Sequence, residues 1–342
     1  MRDFSCGLDP QRETALTSAP DLFRFAENFM FAMYDPAVDV GMWLHLGTCP
    51  DDFGIWEDQV LLALPGDQGL LWMYSYSRTP PEKRPAGASL SFRVIEPFQR
   101  GHLHFDGVGV VSPYAEMLSG RVRDGHKELF TLDIEIESVA PAWDNHASAA
   151  GSKNRGDMKA QAWASEHYQQ LYRAHGNFKF RGENIAIDTT GVRDHSRGQR
   201  GHAPDKFGGH NLWTAAFPSG KAFGMQRMWL PDGTMTLNVG FVYIDGEFHH
   251  VDVVDSPLYL NDLRLHGDEL SLHLRSPLGE HRLRGRIVKT FFTTLDRPWG
   301  YAFGADTSLG YGIFAPGFSR WEWDGEVSYG LTERSGVPGA LK

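Results

Sequence analysis

The order of apolar and polar positions predicts β-strands over most of the first half of the chain. From Asn28 onward, runs of strand length that are rich in aromatic and branched apolar residues alternate with Gly, Pro and Asp turn residues. Examples are FMFAMYD, GMWLHLGT, WEDQVLLALPG, GLLWMYSYS, ASLSFRVIEP, GHLHFDGVGVV and KELFTLDIEIESVAP. Short strands at this regular spacing are typical of antiparallel barrels and sandwiches. The pattern therefore predicts an all-β fold.

Residues 142–177 interrupt the strand pattern. The segment 145–156 is small and polar, as expected for a loop. Residues 157–174 contain neither Gly nor Pro, Asp157 stands where an N-cap belongs, and Gly176 stands where a helix would end. The sequence therefore predicts a helix over 157–174 that connects two β domains.

The second half of the chain repeats the strand pattern of the first without a detectable internal repeat. Strands are predicted over Phe178–Asp188 and within Asn211–Met228, and Asp-Gly pairs at 232–233 and 245–246 mark turns. The predicted division is an N-terminal β domain (1–150), a loop and connecting helix (151–176) and a C-terminal β domain (177–342).

Composition and charge exclude several classes of protein. The 342 residues carry 33 basic against 43 acidic side chains, a net charge of -10, which argues against non-specific nucleic-acid binding and a polybasic membrane patch. Cys6 and Cys49 are the only cysteines, so a reducing compartment is expected. The first residues lack the apolar region of a secretory signal, and no window approaches the roughly 18 apolar residues of a membrane helix. We therefore expect a cytoplasmic protein without an integral membrane segment.

The most polar run between two predicted strands is Gly191-Val192-Arg193-Asp194-His195-Ser196-Arg197-Gly198-Gln199-Arg200. If this decapeptide is a strand, Arg193, His195 and Arg197 face one way, and Asp194 and Ser196 face the other. Buried charges are costly unless they pair. The run is therefore either an ion-pair cluster that ties strand ends together or the catalytic strand of an active site.

The sequence offers weak evidence for metal or cofactor sites. His102 and His104 alternate onto one strand face, and His202 and His210 follow the decapeptide, but no pattern of zinc ligands joins them. No glycine-rich phosphate loop opens a helix, and no G-x-S-x-G motif is present. We expect neither a metal nor an organic cofactor.

The decapeptide resembles the G-x-R-D-H-S-W-G-x-R signature of the hydroxyneurosporene synthase (carotenoid 1,2-hydratase) and AttH-like superfamily. Residues 165–170 (SEHYQQ) resemble the HYEQ element that precedes this signature, and the runs at 27–36 and 43–47 are similar to the opening strands of two-domain members. The resemblance implies two lipocalin-like β-barrel domains in tandem. Two positions depart from the pattern: Arg197 replaces the family's Trp, and Gln199 replaces a frequent Pro.

The resemblance also implies a site. It points to Asp194 and His195 as catalytic residues at a cavity, with Arg193 and Arg200 supporting them. The implied chemistry is general acid catalysis, in which aromatic walls shelter a developing cation. The further residues predicted to line a substrate cavity, mainly in the C-terminal domain, are His210, Trp213, Trp229, Tyr243, Trp299, Tyr311, Trp321 and, from the first half, Trp56.

Two functions stay open at the level of the sequence. The first is a cofactor-independent enzyme acting on a hydrophobic, isoprenoid or polycyclic small molecule, as a hydratase, dehydratase, isomerase or cyclase. The second is a non-catalytic carrier that holds such a molecule in a calyx. Glu57 and Glu333 are either cavity groups or exposed strand-end charges. The expected partner is a hydrophobic small-molecule substrate, with a homodimer as the possible assembly.

Overall fold

The computed structural model describes residues 2–66, 68–160, 165–200, 208–257, 263–296, 300–309 and 312–337. These residues divide into two compact units. Unit 1 comprises Met1–Pro113, Asp124–Asp144 and Lys159–Gly201, and unit 2 comprises Tyr114–Arg123, Asn145–Met158 and His202–Lys342. The all-β class predicted from the sequence is confirmed.

In its described part, unit 1 has ten strands. They are β1 (Phe25–Asp35), β2 (Val40–Cys49), β3 (Asp52–Ala63), β4 (Leu70–Arg78), β5 (Leu90–Glu96), β6 (Arg100–Ser112), β7 (His126–Ser138), β8 (Trp143–Asp144), β9 (Glu166–Phe180) and β10 (Glu183–Gln199). Short 3-10 helices lie at Pro10–Glu13 and Pro81–Lys83.

Eight of these strands close into an antiparallel barrel in the order β10-β1-β2-β3-β4-β6-β7-β9, because β9 also pairs with β10. The register places Phe29 of β1 beside His195 of β10 and Leu46 of β2. One side chain in two points inward along each strand, and the inward set is large and apolar, with Phe29, Phe31 and Trp56 each exposed by 1% or less. The interior of the first barrel is therefore a packed core.

Among the residues that the structure describes, unit 2 contains eleven strands and one short α-helix. They are β11 (Gly209–Ala216), β12 (Ala222–Trp229), β13 (Met235–Ile244), β14 (Glu247–Asp255), β15 (Glu269–Ser276), β16 (Gly279–Thr290), β17 (Thr293–Asp296), β18 (Gly300–Phe303), β19 (Ile313–Phe314), β20 (Gly317–Trp323), β21 (Glu326–Gly336) and α1 (Asn145–Ala150). Further 3-10 helices lie at Tyr114–Leu118, Lys153–Arg155 and Met158–Ala160.

The second sheet also returns on itself. Its order begins β11-β12-β13-β14-β15-β16-β20-β21, and β11 pairs with β21. Trp213, Trp321 and Trp323, each exposed by 1% or less, lie in its core. Two successive eight-strand rings are the tandem lipocalin-like arrangement that the sequence resemblance implied.

The predicted connecting helix over 157–174 is wrong. Residues 158–160 form a single 3-10 turn, and β9 occupies Glu166–Phe180. Both faces of β9 are buried between His167 and Tyr172, so the alternation of apolar and polar residues that marks a half-buried strand is absent. Without that alternation, the absence of Gly and Pro favoured a helix.

The predicted domain division also differs from the structure, which places the decapeptide in unit 1 and not in the C-terminal domain. β9 and β10 form a hairpin, and β10 pairs with β1 on its other side. The hairpin turn consists of Arg181 and Gly182, both with positive φ, as a two-residue turn requires. The segment Phe178–Asp188, predicted as one strand, therefore contains this turn.

Within the part of the chain that the structure describes, no helix has both the length and the apolar character needed to cross a membrane.

Candidate functional site

The decapeptide has the alternation expected of a strand, and this alternation divides its charged residues between two sides of the barrel wall. Arg193, His195 and Arg197 point inward, on the face of β10 that adjoins Phe29 and Phe31 of β1. Asp194 and Ser196 point outward. The resemblance implied that Asp194 and His195 meet at one cavity. They lie on opposite sides of the wall and therefore do not.

The inward arginine Arg193 is fully paired at one end of the barrel core. Its Nη1 lies 2.9 Å from Oε1 of Glu13, and its Nη2 donates to Oε1 of Gln170. The hydroxyl of Tyr168 donates to the same Glu13 carboxylate. Glu13 is the last residue of the Pro10–Glu13 turn and is only 3% exposed. The N-terminal segment therefore contributes a carboxylate to the barrel end.

His195 and Arg197 share a second buried carboxylate, that of Glu27 on β1. His195 Nε2 lies 2.8 Å and Arg197 Nε 2.7 Å from Oε1 of Glu27. Arg197 also donates from Nη1 to Glu166 at 2.9 Å, and Phe29 stacks on the imidazole with 3.8 Å between ring centroids. Arg197, which replaces the family's tryptophan, thus neutralises the buried carboxylate of Glu27.

Arg12 Nε lies 2.9 Å from Glu166 Oε2, and the charges of this inner cluster (Glu13, Glu27, Glu166, Arg12, Arg193, Arg197, His195) balance. Burial raises the pKa of Glu13 and of Glu27, but Arg193 for the first, and His195 with Arg197 for the second, outweigh it and hold both below the ordinary value. Burial lowers the pKa of His195, against the opposing effect of Glu27. Three carboxylates then face three guanidinium groups and a neutral imidazole. A network of paired charges of this kind orders the barrel end.

The outward residues of the decapeptide lie on the other side of the wall. His167 of β9 contacts Asp194 through Nε2, and Gln169 Nε2 lies 3.4 Å from the same carboxylate. Arg200 donates from Nη2 to Ser196 Oγ at 3.1 Å, and its guanidinium faces the amide of Asn28.

A second outward group, here called the Glu57 cluster, consists of His45, Glu57, Gln59, Tyr74 and Tyr76 on β2, β3 and β4. Tyr74 donates its hydroxyl hydrogen to Glu57 Oε2 at 3.1 Å, and Gln59 donates to Oε1 at 3.1 Å. His45 Nδ1 lies 3.4 Å from Oε1. The hydroxyls of Tyr74 and Tyr76 are hydrogen-bonded to each other.

Register explains why these side chains share a face. In the antiparallel ladder Gly47 lies between Asn28 and Glu57, and His45 lies between Met30 and Gln59. A Cβ at Gly47 would stand 2.5 Å from Asn28 Oδ1 and 2.8 Å from His45 Cε1. Only glycine therefore lets Asn28, His45 and Glu57 converge over this point of the wall.

Burial separates the pKa values of the two titratable neighbours in this cluster. Burial raises the pKa of Glu57 to about 7, although Tyr74 and Gln59 donate hydrogen bonds to it. Burial, with the nearby Arg200 charge, lowers the pKa of His45 to about 4. At neutral pH the imidazole is uncharged and the carboxyl group is close to half-protonated. A carboxyl group in that state both donates and accepts protons near neutral pH.

Apolar side chains border these polar rows on the outward face. The next row across the sheet runs through Val192, Ala32, Trp43, Leu61 and Trp72 by strand pairing. Trp43 stacks on His45 with 5.6 Å between centroids and 4° between planes. The Glu57 cluster thus combines ionisable groups with an apolar edge, the mixture found in small-molecule sites.

The other residues predicted to line a cavity lie elsewhere. Trp56 is in the core of the first barrel, and Trp213 and Trp321 are in the core of the second. Tyr243 and Trp229 are buried side chains of β13 and β12. Trp299 and Tyr311 lie outside the described residues.

His210 and Glu333 meet in unit 2 rather than at the decapeptide. His210 Nε2 lies 2.6 Å from Glu333 Oε1, and Ser335 Oγ donates to the same oxygen at 2.8 Å. Glu333 is therefore a buried, paired group and not an exposed strand-end charge. The same holds for Glu57, which is 8% exposed.

The sequence did not single out His167, Tyr74 or Tyr76 as site residues. His167 belongs to the HYQQ element, and Tyr74 and Tyr76 stand two apart in the strand run WMYSYS, a spacing that places both on one face. The sequence therefore contained one indication, the spacing of two between Tyr74 and Tyr76. This spacing shows that the two tyrosines share a strand face, but it does not show which residues they contact.

No metal-binding group emerges within the described ranges: no three His, Cys, Asp or Glu side chains there are arranged to hold a metal ion. His102 and His104 do share a face, as predicted, and His102 Nε2 lies 2.8 Å from Asp133. His202 lies outside the described residues.

The sequence and the fold were compared with those of known proteins. A family model described as "Domain of unknown function (DUF7064)" matches residues 10–338. The crystal structure of a putative AttH from Nitrosomonas europaea is similar over 100% of both chains, with a TM-score of 0.59 and 14% identity. Kievitone hydratase from Nectria haematococca matches 91% of this chain and 88% of its own, with a TM-score of 0.49 and 10% identity. No curated protein matches the sequence. The likeness to AttH confirms the fold that the resemblance implied.

Proposed function

Because the chain belongs to the DUF7064 family, whose description assigns no activity, we propose a function from the geometry of unit 1. We propose that the protein is an acid–base enzyme that acts on a hydrophobic small molecule without an organic cofactor. Glu57 gives and takes the proton.

One observation carries this proposal: a carboxyl group with a pKa of about 7 lies beside a neutral imidazole and two tyrosines. General acids and bases work best when their pKa lies near the working pH. Burial without a full counter-charge is how proteins bring a glutamate to that range. The inner cluster provides the contrast, since Glu13 and Glu27 have lowered pKa values and arginine partners.

The protonated form of Glu57 supplies a proton to the substrate, and the ionised form takes one back. His45 stays uncharged, with its Nδ1 3.4 Å from one carboxyl oxygen, and Gln59 donates to the same oxygen. Trp43 and the apolar row beside it offer a face for a developing carbocation. Cation–π contact of this kind favours hydration, dehydration, isomerisation or cyclisation of an isoprenoid or polycyclic substrate.

Asp194 keeps a role in the proposal, as an orienting acceptor for His167 on the same outward face. Asp194 on β10 and Glu57 on β3 are separated by three strand steps, which is about 14 Å along the wall. At that distance the two groups act on different parts of a substrate. The Asp194–His167 pair would then bind a second polar group, with Arg200 lying between the two positions.

The alternative function is a carrier that holds a hydrophobic ligand in a lipocalin-like calyx. A calyx requires space inside a barrel. Large apolar side chains such as Phe31, Trp56 and Phe105 fill the first core, and the inner cluster lies at one end of that barrel. These observations favour an enzyme with its site on the wall over a carrier with its site in the lumen.

Oxygen exchange with labelled water tests the proposal. The protein is incubated in H₂¹⁸O with linalool, geraniol and nerolidol, and ¹⁸O incorporation into the recovered alcohols is followed by mass spectrometry. We expect exchange by the wild type and a loss of about 100-fold or more in Glu57→Gln, because the amide cannot supply the proton.

The control variant is Glu82→Gln, which changes an exposed glutamate in the Pro81–Lys83 turn and should leave exchange unaltered. Exchange at the wild-type rate in Glu57→Gln would remove Glu57 from the proposal. Binding of an alcohol without any exchange by the wild type would favour the carrier.

A further inference from the structure

The hydroxyls of Tyr74 and Tyr76 connect the buried Glu57 carboxyl group to the protein surface. Glu57 is 8% exposed, whereas Tyr76 is 48% exposed. Glu57 Oε2 accepts from Tyr74 at 3.1 Å, and the Tyr74 and Tyr76 hydroxyls bond to each other. The residues stand at alternate positions of β4, so both rings lie on one face, in an edge-on contact with centroids 5.0 Å apart. The chain of hydrogen bonds is continuous from the buried Glu57 carboxyl group to the exposed Tyr76 hydroxyl.

We propose that Glu57, Tyr74 and Tyr76 form a proton relay that ends on the oxygen atom of a hydroxyl or carbonyl group of a substrate bound against Tyr76. This inference rests on the proposed function for the role of Glu57. It adds the route of the proton and the class of atom that receives it.

The direction of the hydrogen bonds follows the protonation of Glu57. When the carboxylate is ionised, Tyr74 donates to it, Tyr76 donates to Tyr74, and the Tyr76 oxygen faces outward as an acceptor. When Glu57 is protonated it donates to Tyr74, Tyr74 donates to Tyr76, and the Tyr76 O–H faces outward as a donor. The protonation state of the buried Glu57 therefore determines whether the exposed Tyr76 hydroxyl donates or accepts a hydrogen bond.

Delivery of the proton moves three hydrogens by one bond each. The Tyr76 O–H bond breaks as a bond forms to the substrate oxygen, the Tyr74 hydrogen passes to Tyr76, and the Glu57 hydrogen passes to Tyr74. Glu57 ends as a carboxylate, both tyrosines end neutral, and the substrate oxygen carries one more proton. A protonated hydroxyl leaves as water, and the reverse sequence returns the proton to Glu57.

The surroundings of Glu57 keep this exchange close to balance. Besides Tyr74, Tyr76 and Gln59, the groups that face or influence it are His45 and Cys49 of β2, Asp58 on its own strand and Arg200. Burial and the Asp58 charge favour the protonated form, and Arg200 favours the ionised form. Burial and Glu57 raise the pKa of Tyr74, so the tyrosines pass a proton without becoming anions.

Tyrosine NMR tests the relay in the whole protein without a ligand. Tyrosine labelled with ¹³C at Cζ is incorporated at all eleven positions, and the Tyr76 signal is assigned from its loss in Tyr76→Phe. We expect this signal to shift with a midpoint near pH 7 in the wild type and to lose that step in both Glu57→Gln and Tyr74→Phe. A step that persists in Tyr74→Phe would overturn the relay.

The oxygen-exchange assay separates this inference from the proposed function. We expect Tyr74→Phe and Tyr76→Phe each to reduce ¹⁸O exchange by about tenfold or more. The matched control is Tyr34→Phe, which removes a tyrosine hydroxyl bonded to a carboxylate, that of Asp39 at 2.8 Å, elsewhere in the same barrel. Loss of exchange in Glu57→Gln with full exchange in Tyr74→Phe would reject the relay and keep Glu57 as the acid.

Discussion

Glu57 binds its proton more tightly in the folded chain than in an unfolded one, and this affects stability as well as chemistry. Its pKa rises from 4.5 to about 7 on folding. The folded state therefore holds more protons than the unfolded state between these values, and stability falls as the pH rises through this window. The part due to Glu57 is complete below about pH 4.5 and is lost by about pH 7.

Replacement of Glu57 by Gln should remove this dependence. We expect the free energy of unfolding of Glu57→Gln, relative to the wild type, to increase by up to about 3 kcal/mol between pH 4.5 and pH 7.5. Denaturant unfolding at several pH values, followed by tryptophan fluorescence, measures the difference. A difference that does not change with pH would mean that Glu57 titrates at its ordinary value, and Glu82→Gln serves as the exposed control.

At the residue scale the sequence predicted the alternation of the decapeptide but not the partners of its side chains. Arg193 and Arg197 are paired by Glu13 and Glu27, which precede them by 180 and 170 positions. The sequence shows that buried arginines need carboxylates, and it does not show which acidic residues supply them. Asp194 and His195 were predicted together, and the structure places them on opposite faces of β10, because adjacent residues of a strand face opposite ways.

At the scale of elements, the Pro10–Glu13 turn and strand β10 depend on each other through the Glu13–Arg193 pair. Removing one partner of a buried ion pair leaves an uncompensated charge, whereas removing both does not. We expect Glu13→Gln to destabilise unit 1 by about 3–5 kcal/mol. The double variant Glu13→Gln/Arg193→Met should be less destabilised than the sum of its single variants, with a coupling on the order of 2 kcal/mol.

Acid should weaken this coupling. The pKa of Glu13 is held below its ordinary value, so its contribution to stability is present above about pH 4.5 and is lost as the pH falls through the lowered value. Unfolding measured for all four members of the mutant cycle at neutral pH and at acid pH determines the coupling. Additive single variants at neutral pH would show that the pair is not the link between the two elements.

Element prediction succeeded at β7, where one strand face is polar, and failed at β9, where both faces are buried and carry polar side chains. β7 alternates regularly between buried and exposed positions, and its run KELFTLDIEIES was predicted as a strand. β9 buries His167, Gln169 and Gln170 beside its tyrosines, and hydrogen bonds on the two faces join them to Asp194 and Arg193. A polar interior erases the period of two on which the prediction depends.

At the scale of the whole molecule, the three sequence motifs of the resemblance come together in neighbouring strands. The HYQQ element lies on β9, the decapeptide on β10, and the opening runs on β1 and β2, which are consecutive around the first barrel. The motifs are far apart in the sequence because the barrel closes by pairing its last strand with its first. The order of the motifs along the chain supported the prediction of the fold. It did not show that the decapeptide belongs to unit 1.

The division of the chain predicts how a fragment will behave. Residues 151–342 contain β9 and β10 but lack β1, β7 and β8, which pair with these two strands in the full chain, whereas all eight strands of the second ring lie within 209–336. A two-stranded hairpin alone is marginally stable in water. We therefore expect amide hydrogens of 166–199 to exchange rapidly in this fragment, while those of β11–β16, β20 and β21 remain protected.

Hydrogen–deuterium exchange with mass spectrometry compares the fragment with the full chain, in which both regions should be protected. Slow exchange over 166–199 in the fragment would show instead that β9 and β10 are stable without the first barrel. A C-terminal domain that begins at residue 177, as the sequence predicted, requires this of β10.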